Sequence, residues 1–205
     1  MRHSSSLIIL AGGKSSRMGT PKGLLKHNNQ YWILSQIENF IGHEIFIGLG
    51  FDKELYFEAI PWLENAVNTP INYKEKSVRV IINSNPKLGP FSNIQSVLKQ
   101  LKTKQSVFIL PIDVPILNQK EQKEIETNEN LIVIPRYKKK NGHPIKLKHK
   151  FWQELLTIHL NELDARLDYQ IKKNNSSKIS FIETSDELCV LNLNTPNEWL
   201  KFTNL

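Results

Sequence analysis

Short runs of β-branched and apolar residues recur along the chain, and stretches with helical spacing separate many of them. The runs at residues 7–10, 44–47, 78–82, 107–110, 131–134, 179–182 and 188–193 are typical of buried strands. Apolar residues return every three or four positions over 31–40, 93–101 and 151–163, which predicts helices. Strands that alternate with helices predict an α/β fold, a mainly parallel mixed sheet covered on both faces in a Rossmann-like three-layer arrangement.

Size and composition narrow the class of protein. A chain of 205 residues is long enough to fold as one domain without a disulfide or metal. The single cysteine, Cys189, excludes an intramolecular disulfide and a Cys-based zinc cluster. The most apolar stretch near the start covers only residues 7–11, far below the ~20 residues that a bilayer requires, so no membrane contact and a cytoplasmic location are expected.

The net charge of +7 favours either a solvated basic surface or anionic ligands. No predicted helix carries a basic stripe interleaved with aromatic residues. A nucleic-acid partner is therefore not expected, whereas phosphates and nucleotides stay open.

The segment after the first predicted strand is dense in glycine and positive charge. Residues 11–23 read Ala-Gly-Gly-Lys-Ser-Ser-Arg-Met-Gly-Thr-Pro-Lys-Gly. Glycines let the backbone turn and bring bare N–H groups to a ligand, and nearby cations neutralise phosphate charge. The glycines are Gly12, Gly13 and Gly19, and the cations are Lys14, Arg17 and Lys22. The glycine spacing matches neither a Walker A loop nor a dinucleotide fingerprint, so a triphosphate loop of another kind is predicted, with a flexible basic loop as the alternative.

A single acidic residue follows the strand predicted at 107–110. Asp113 lies between Pro111 and Pro115, which restrict the backbone on both sides. One carboxylate beyond a strand end suits Mg²⁺, which takes one or two protein oxygens and completes its shell with phosphates and water. The alternative is an aspartate that caps the next helix.

Two asparagines near the C-terminus are further candidates. On a continued strand Asn192 and Asn194 would share one face. The alternative is helix capping, because Asn194 or Thr195 before Pro196 is a favourable helix start.

The motif Leu-Ala-Gly-Gly-x-Ser-x-Arg-Met-Gly, followed by Pro-Lys-Gly-Leu-Leu, resembles the signature of the MobA-like nucleotidyltransferases. This family includes molybdenum cofactor guanylyltransferases and cytidylyltransferase relatives. The resemblance runs from residue 7 to about residue 25, and similar order at later sites extends it over most of the chain. It implies one nucleotidyltransferase domain over residues 1–205, with a nucleotide-binding part of about 1–117 and an acceptor-binding part of about 118–205.

The same resemblance implies a reaction and a set of site residues. A nucleoside triphosphate, with GTP favoured, would donate its nucleoside monophosphate to a phosphorylated acceptor, with molybdopterin favoured, and pyrophosphate would leave. Mg²⁺ is the implied cofactor, and a monomer or weak homo-oligomer is expected. The implied catalytic residues are Arg17, Lys22 and Asp113. The implied metal ligands are Asp113 and Asn194, with Asn192 as the alternative to Asn194. The implied nucleotide-binding residues are Leu10, Ala11, Gly12, Gly13, Lys14, Gly19, Lys22, Asn83, Gly89 and Pro90.

Two departures from the family pattern leave the base open. The family's guanylyltransferases place an Asn after the second strand and an Asp after the third, whereas this chain has Gly48-Leu49-Gly50 and Asn83-Ser84-Asn85 there. A cytidylyltransferase or sugar-phosphate nucleotidyltransferase is the nearest alternative, and a non-catalytic nucleotide-binding regulator is the alternative of another class. The segment Gly142-His143-Pro144 resembles a family element in the acceptor half. We interpret His143 as a surface-turn histidine, with contact to the acceptor as the alternative.

Overall fold

The computed structural model describes residues 5–102 and 104–204. The strands are β1 (Ser6–Ala11), β2 (Lys26–His27), β3 (Gln30–Tyr31), β4 (Glu44–Leu49), β5 (Ile71–Tyr73), β6 (Lys76–Ile82), β7 (Val107–Pro111), β8 (Ile132–Tyr137), β9 (Lys140–Asn141), β10 (Ile145–Leu147) and β11 (Ile179–Glu183). The α-helices are α1 (Trp32–Asn39), α2 (Lys53–Ala59), α3 (Trp62–Asn68), α4 (Pro90–Leu98), α5 (Gln119–Thr127), α6 (His149–Leu155), α7 (Leu167–Lys172) and α8 (Pro196–Thr203).

Among the described residues, nine strands form one mixed sheet in the order β11-β8-β10-β7-β1-β4-β6-β5, with β9 paired to β8. The central pairs β7–β1, β1–β4 and β4–β6 are parallel. Strand β10 is antiparallel to both of its neighbours, and β5 is antiparallel to β6. The predicted fold class, a mainly parallel mixed sheet in an α/β domain, is confirmed.

The central strands are buried on both faces, as their apolar composition requires. Along β1, Leu7 and Ile9 pack into one hydrophobic core, whereas Ile8 between them packs into the other. The first core lies beneath α1, α3 and α8, and the second beneath α4 and α6. Since consecutive strand residues point to opposite faces, a strand covered on both sides must be apolar at every position.

The topology reverses at β1, which lies between β4 and β7. After β6 the chain crosses to the other side of β1 and enters β7. The loops that leave β1 and β7 therefore diverge at the carboxyl edge of the sheet, and the crevice between them is where ligands bind in open α/β sheets. This places the glycine-rich segment and Asp113 side by side.

Two predicted elements are wrong. Residues 188–193 are not a strand, because Glu187–Val190 form a 3₁₀ helix. The backbone of this segment bonds to two loops: Leu193 N donates to Asp113 O, and Cys189 O accepts from His143 N. The helix predicted at 151–163 ends at Leu155, and Leu163 is 98% exposed. The apolar residues after Leu155 lie in a loop, where Leu156, Ile158 and Leu160 pack against the core without forming a helix. No helix in the described part of the chain has the length and apolar character to cross a bilayer.

Candidate active site

The glycine-rich loop follows β1 and is shaped by close backbone packing. A Cβ on Gly12 would lie 2.7 Å from Asn93 Nδ2 and 3.2 Å from Gly50 N, so only glycine fits there. Gly19 has a φ of +75°, a conformation that L side chains rarely adopt. By contrast, a Cβ on Gly13 would meet no heavy atom within 4 Å among the described residues. Gly13 thus borders open space, where a ligand can approach the backbone.

Asn93, on α4, is a residue that the sequence reasoning missed. Its side chain is buried, and its Nδ2 donates to Gly48 O at 2.9 Å, which ties α4 to the end of β4. Its Oδ1 is buried without a hydrogen-bond partner among the described residues. The amide fills the space that a Cβ on Gly12 or Gly48 would need, so these glycines and Asn93 form one packed unit. An asparagine within a helix carries no sequence signal for this contact.

Four predicted site residues meet beside this loop. Lys22 Nζ donates to Asp113 Oδ2 at 2.8 Å and to Asn194 Oδ1 at 2.7 Å. An Arg17 guanidinium nitrogen, NH2, donates to the same Asn194 oxygen at 3.2 Å. The Lys22 and Asp113 side chains are only 13% and 20% exposed, so this ion pair is shielded from water on most sides. Residues from the first and last parts of the chain thus form one polar cluster.

The local hydrogen bonds show which residues cap the two helices that follow Asp113 and the asparagines. Helix α5 is capped by Asn118, whose side chain accepts from Glu121 N, so the capping interpretation of Asp113 is wrong. Thr195 caps α8 through a capping box with Glu198, which leaves the Asn194 amide oxygen to Lys22 and Arg17. Asn192 is exposed, and its amide donates to Val190 O away from the cluster.

Tyr56, on α2, is a second residue that the sequence did not reveal. Its buried hydroxyl accepts from Gly23 N at 3.2 Å, directly after Lys22. A Cβ on Gly23 would lie 2.8 Å from the Tyr56 ring, so the ring and the glycine are matched in shape. Lys22 N donates to Ser15 Oγ at 3.3 Å. These contacts hold the backbone that carries the Lys22 side chain.

A cleft of about 450 Å³ opens between the glycine loop, the loop after β6 and Asp113. Its lining includes most of the predicted nucleotide-binding residues, namely Leu10, Gly12, Gly13, Lys14, Lys22, Asn83, Gly89 and Pro90. Ala11, which is buried, and Gly19, which is exposed, are not among its lining residues. We call this the nucleotide cleft.

Asn83 lines the nucleotide cleft, but its amide is engaged within the protein. Nδ2 donates to Ser92 Oγ at 2.8 Å, and Oδ1 accepts from Asn85 N at 2.9 Å. The side chain is 4% exposed. Its observed contacts therefore order the loop between β6 and α4.

A second, larger cleft of about 670 Å³ lies on the other side of a shared wall formed by Leu10, Gly89, Pro90 and Pro111. We call it the apolar cleft, because its lining is mainly aliphatic and aromatic. The apolar lining residues include Phe91, Ile94, Ile109, Ile134, Ile145 and Ile171. Arg166, Asp168 and Lys172 supply its charges.

His143 also lines the apolar cleft, and its interpretation as a surface-turn histidine is wrong. Its Nδ1 lies 3.4 Å from Ile109 O, in the floor of the cleft. Burial lowers the pKa of the imidazole from its ordinary value of 6.5. The ring is therefore neutral at pH 7 and adds no charge to this cleft.

A parallel sheet whose carboxyl edge carries a glycine loop, converging cations and one carboxylate is the arrangement of a nucleotide-binding α/β transferase. A family model described as a MobA-like NTP transferase domain matches residues 7–173. The chain belongs to this family of nucleotidyltransferases, as its first loop suggested.

Named relatives and a solved structure agree with this membership. A molybdenum cofactor guanylyltransferase from Campylobacter jejuni subsp. jejuni is 28% identical over 202 residues, which cover 95% of this chain and 93% of that protein. A probable molybdenum cofactor guanylyltransferase from Clostridium perfringens is 31% identical over 115 residues, but this match spans only 56% of this chain and 49% of that protein. The Mycobacterium tuberculosis protein Rv0371c, solved as a manganese complex, has the same fold, with a TM-score of 0.70, 13% identity and 98% of each chain covered.

Proposed function

We propose that this protein is a molybdenum cofactor guanylyltransferase, which transfers GMP from GTP to molybdopterin and releases pyrophosphate. The observation that carries the proposal is the cluster of Lys22, Arg17, Asp113 and Asn194 at the mouth of a glycine-lined cleft, next to a separate apolar cleft. The names of the relatives from Campylobacter and Clostridium favour guanylyl transfer within the family.

The arrangement supports direct transfer without a covalent enzyme intermediate. A phosphate oxygen of the acceptor forms a bond to the α-phosphorus of the nucleotide, while the bond from that phosphorus to the bridging oxygen of the β-phosphate breaks. The electron pair and its negative charge pass to pyrophosphate. Lys22 and Arg17 are positioned to neutralise that charge, and the open backbone at Gly13 allows the phosphates to approach. Positioning and charge neutralisation supply the catalysis.

The donor set at the cluster fits a magnesium ion that is shared with phosphates. One carboxylate oxygen and one amide oxygen converge on a single cation, the Lys22 ammonium. No group of three or more His, Cys, Asp or Glu residues that could hold a metal occurs among the described residues, so a site built wholly from protein ligands is not indicated there. Mg²⁺ characteristically takes few protein oxygens and completes its shell with phosphates and water. Bound to Asp113 and Asn194, it would neutralise phosphate charge during transfer.

The apolar cleft offers two kinds of contact to the body of an acceptor. Its aliphatic side chains can pack against a ring system, and Asn141, Arg166, Asp168 and Lys172 can bond its polar groups. We propose that the acceptor body lies in this cleft with its phosphate toward Asp113. Residues from both proposed parts line the cleft: 88–111 belong to the nucleotide-binding part, and 134–172 belong to the acceptor-binding part. We therefore propose that the acceptor contacts both parts of the chain.

Pyrophosphate release from GTP, CTP, ATP and UTP, measured with Mg²⁺ and with or without molybdopterin, tests the proposal. We expect release with GTP only when molybdopterin is present. A preference for CTP would instead support the cytidylyltransferase alternative. Release that requires a sugar phosphate would overturn the acceptor assignment, and thermal stabilisation by a nucleotide without turnover of any acceptor would indicate the non-catalytic regulator.

A further inference from the structure

The Lys22 ammonium lies where a metal ion would meet its protein ligands. Its Nζ is within hydrogen-bond distance of both Asp113 Oδ2 and Asn194 Oδ1, at 2.8 and 2.7 Å. A divalent cation bound by these two oxygens would take nearly the same position. A dication a few ångströms from an ammonium group is strongly repelled, most of all where water is partly excluded. The two cations therefore cannot occupy this place together.

We propose that Lys22 and the divalent cation are alternative partners of Asp113 and Asn194, so that this protein binds its metal together with the nucleotide and not as a free ion. This inference rests on the nucleotidyl-transfer function proposed above. It concerns the ligand that the cluster accepts, which is a metal–triphosphate complex.

The surroundings of Lys22 explain why the triphosphate is needed. The lysine side chain is 13% exposed, so water solvates its ammonium group only in part. Asp113 is its ion-pair partner among the described residues, and leaving Asp113 therefore requires another anion. Lys22 also lines the nucleotide cleft. A triphosphate in that cleft supplies a new anionic partner at the same moment as it supplies phosphate ligands to the metal.

The movement required is confined to one side chain. The backbone on either side is held by Lys22 N donating to Ser15 Oγ and by Gly23 N donating to Tyr56 Oη. Arg17, which is exposed, donates to Asn194, whereas the ion pair of Asp113 is with Lys22. The replacement of the ammonium group by a metal ion consequently depends on the Lys22 side chain. A substitution of Lys22 therefore tests it without changing Arg17.

Titration of Mn²⁺ in the absence of nucleotide, read by electron paramagnetic resonance of the free ion, tests this proposal. The proteins are wild type, Lys22→Met, Asp113→Asn, Lys22→Met combined with Asp113→Asn, and Lys26→Met as the matched control. Lys26 is exposed and lies over the Tyr31 ring, so its replacement removes the same charge from the same segment but not from the cluster. Lys22→Gln is the second variant should methionine impair folding, which circular dichroism reports.

We expect weak Mn²⁺ binding by wild type and by Lys26→Met, and at least tenfold tighter binding by Lys22→Met that Asp113→Asn abolishes. Equal Mn²⁺ affinity in folded Lys22→Met, or Lys22→Gln, and wild type overturns the proposal. So does wild-type binding that is already tight and is lost in Asp113→Asn. None of these titrations contains a nucleotide, so a failure of the proposed transferase activity would show separately, in the pyrophosphate assay.

Discussion

The two clefts share one wall but differ in the rest of their lining. The nucleotide cleft is lined by backbone at Gly12 and Gly13 and by the Lys22–Asp113 ion pair, whereas the larger apolar cleft is lined mainly by aliphatic side chains, with its charged residues on one segment, 166–172. The ion pair lies where a phosphorus–oxygen bond would be exchanged, because fixed charges act most strongly on charge that moves. Shape and apolar contact dominate where a substrate needs only to be held. The difference predicts that changes in the two clefts will affect different kinetic constants.

Replacement of Asp113 by alanine should have the largest effect. The cluster would lose its carboxylate, and kcat is expected to fall about 10³-fold in a pyrophosphate-release assay. The fold should survive, since the Asp113 backbone oxygen still accepts from Leu193 N and Lys22 keeps its hydrogen bond to Asn194 Oδ1. Near-normal turnover by this variant would contradict the assignment of the cluster as the reaction centre.

Lys22→Ala should follow, with kcat lower by about 10²-fold because one cation facing the leaving pyrophosphate is removed. The acceptor KM should change little, since Lys22 is not among the residues that line the apolar cleft. Steady-state kinetics with each substrate varied separately measure both constants. A rise in acceptor KM with unchanged kcat would show that Lys22 binds the acceptor and would contradict the separate roles of the two clefts.

Two neighbouring glycines allow a matched comparison within the loop. In Gly12→Ala the new Cβ meets the tied Asn93 amide at 2.7 Å, and we expect a loss of about 1–3 kcal/mol in the free energy of unfolding. In Gly13→Ala the Cβ meets nothing within 4 Å, so stability should hold while nucleotide affinity falls. Urea unfolding and nucleotide titration separate the two outcomes. Equal stability losses would mean that the loop is packed differently.

The apolar cleft is best tested at Leu88, which lines it and is 40% exposed. Leu88→Ala removes apolar contact area with little effect on the core, and the acceptor KM is expected to rise about 3- to 10-fold. The nucleotide KM should remain unchanged. The reverse pattern would show that this cleft serves the nucleotide.

The smallest expected effect is a pH dependence of stability from His143. Its folded-state pKa is lowered by burial, so below about 6.5 the unfolded chain binds a proton that the folded protein resists. The free energy of unfolding should therefore decrease as the pH falls from 7 to 5, and His143→Asn should flatten this slope. His159→Asn, at an exposed histidine, is the control and should keep the wild-type slope. An unchanged slope in His143→Asn would argue against the burial of this ring.

Sequence reasoning worked best where one local pattern determined one outcome. The apolar runs that became β1, β4, β6 and β7 were recognisable because strands buried on both faces must be continuously apolar. The glycine loop was recognisable because its backbone conformation restricts residue type. The reasoning failed at residues 188–193 and 156–163, where apolar side chains belong to a 3₁₀ helix or a loop, since burial alone does not specify backbone conformation.

The order of residues along this chain by itself determined the alternation of strands and helices, and it determined the two polar loops that β1 and β7 present at one edge of the sheet. Only the tertiary structure decided which side chains meet. Asn194 rather than Asn192 reaches Lys22, Tyr56 and Asn93 support the loops, and the His143 ring lies against Ile109 O. These contacts join residues that lie between 33 and 172 positions apart. Hydrophobic periodicity and turn chemistry act over a few neighbouring residues, so they carry no information about pairs so distant.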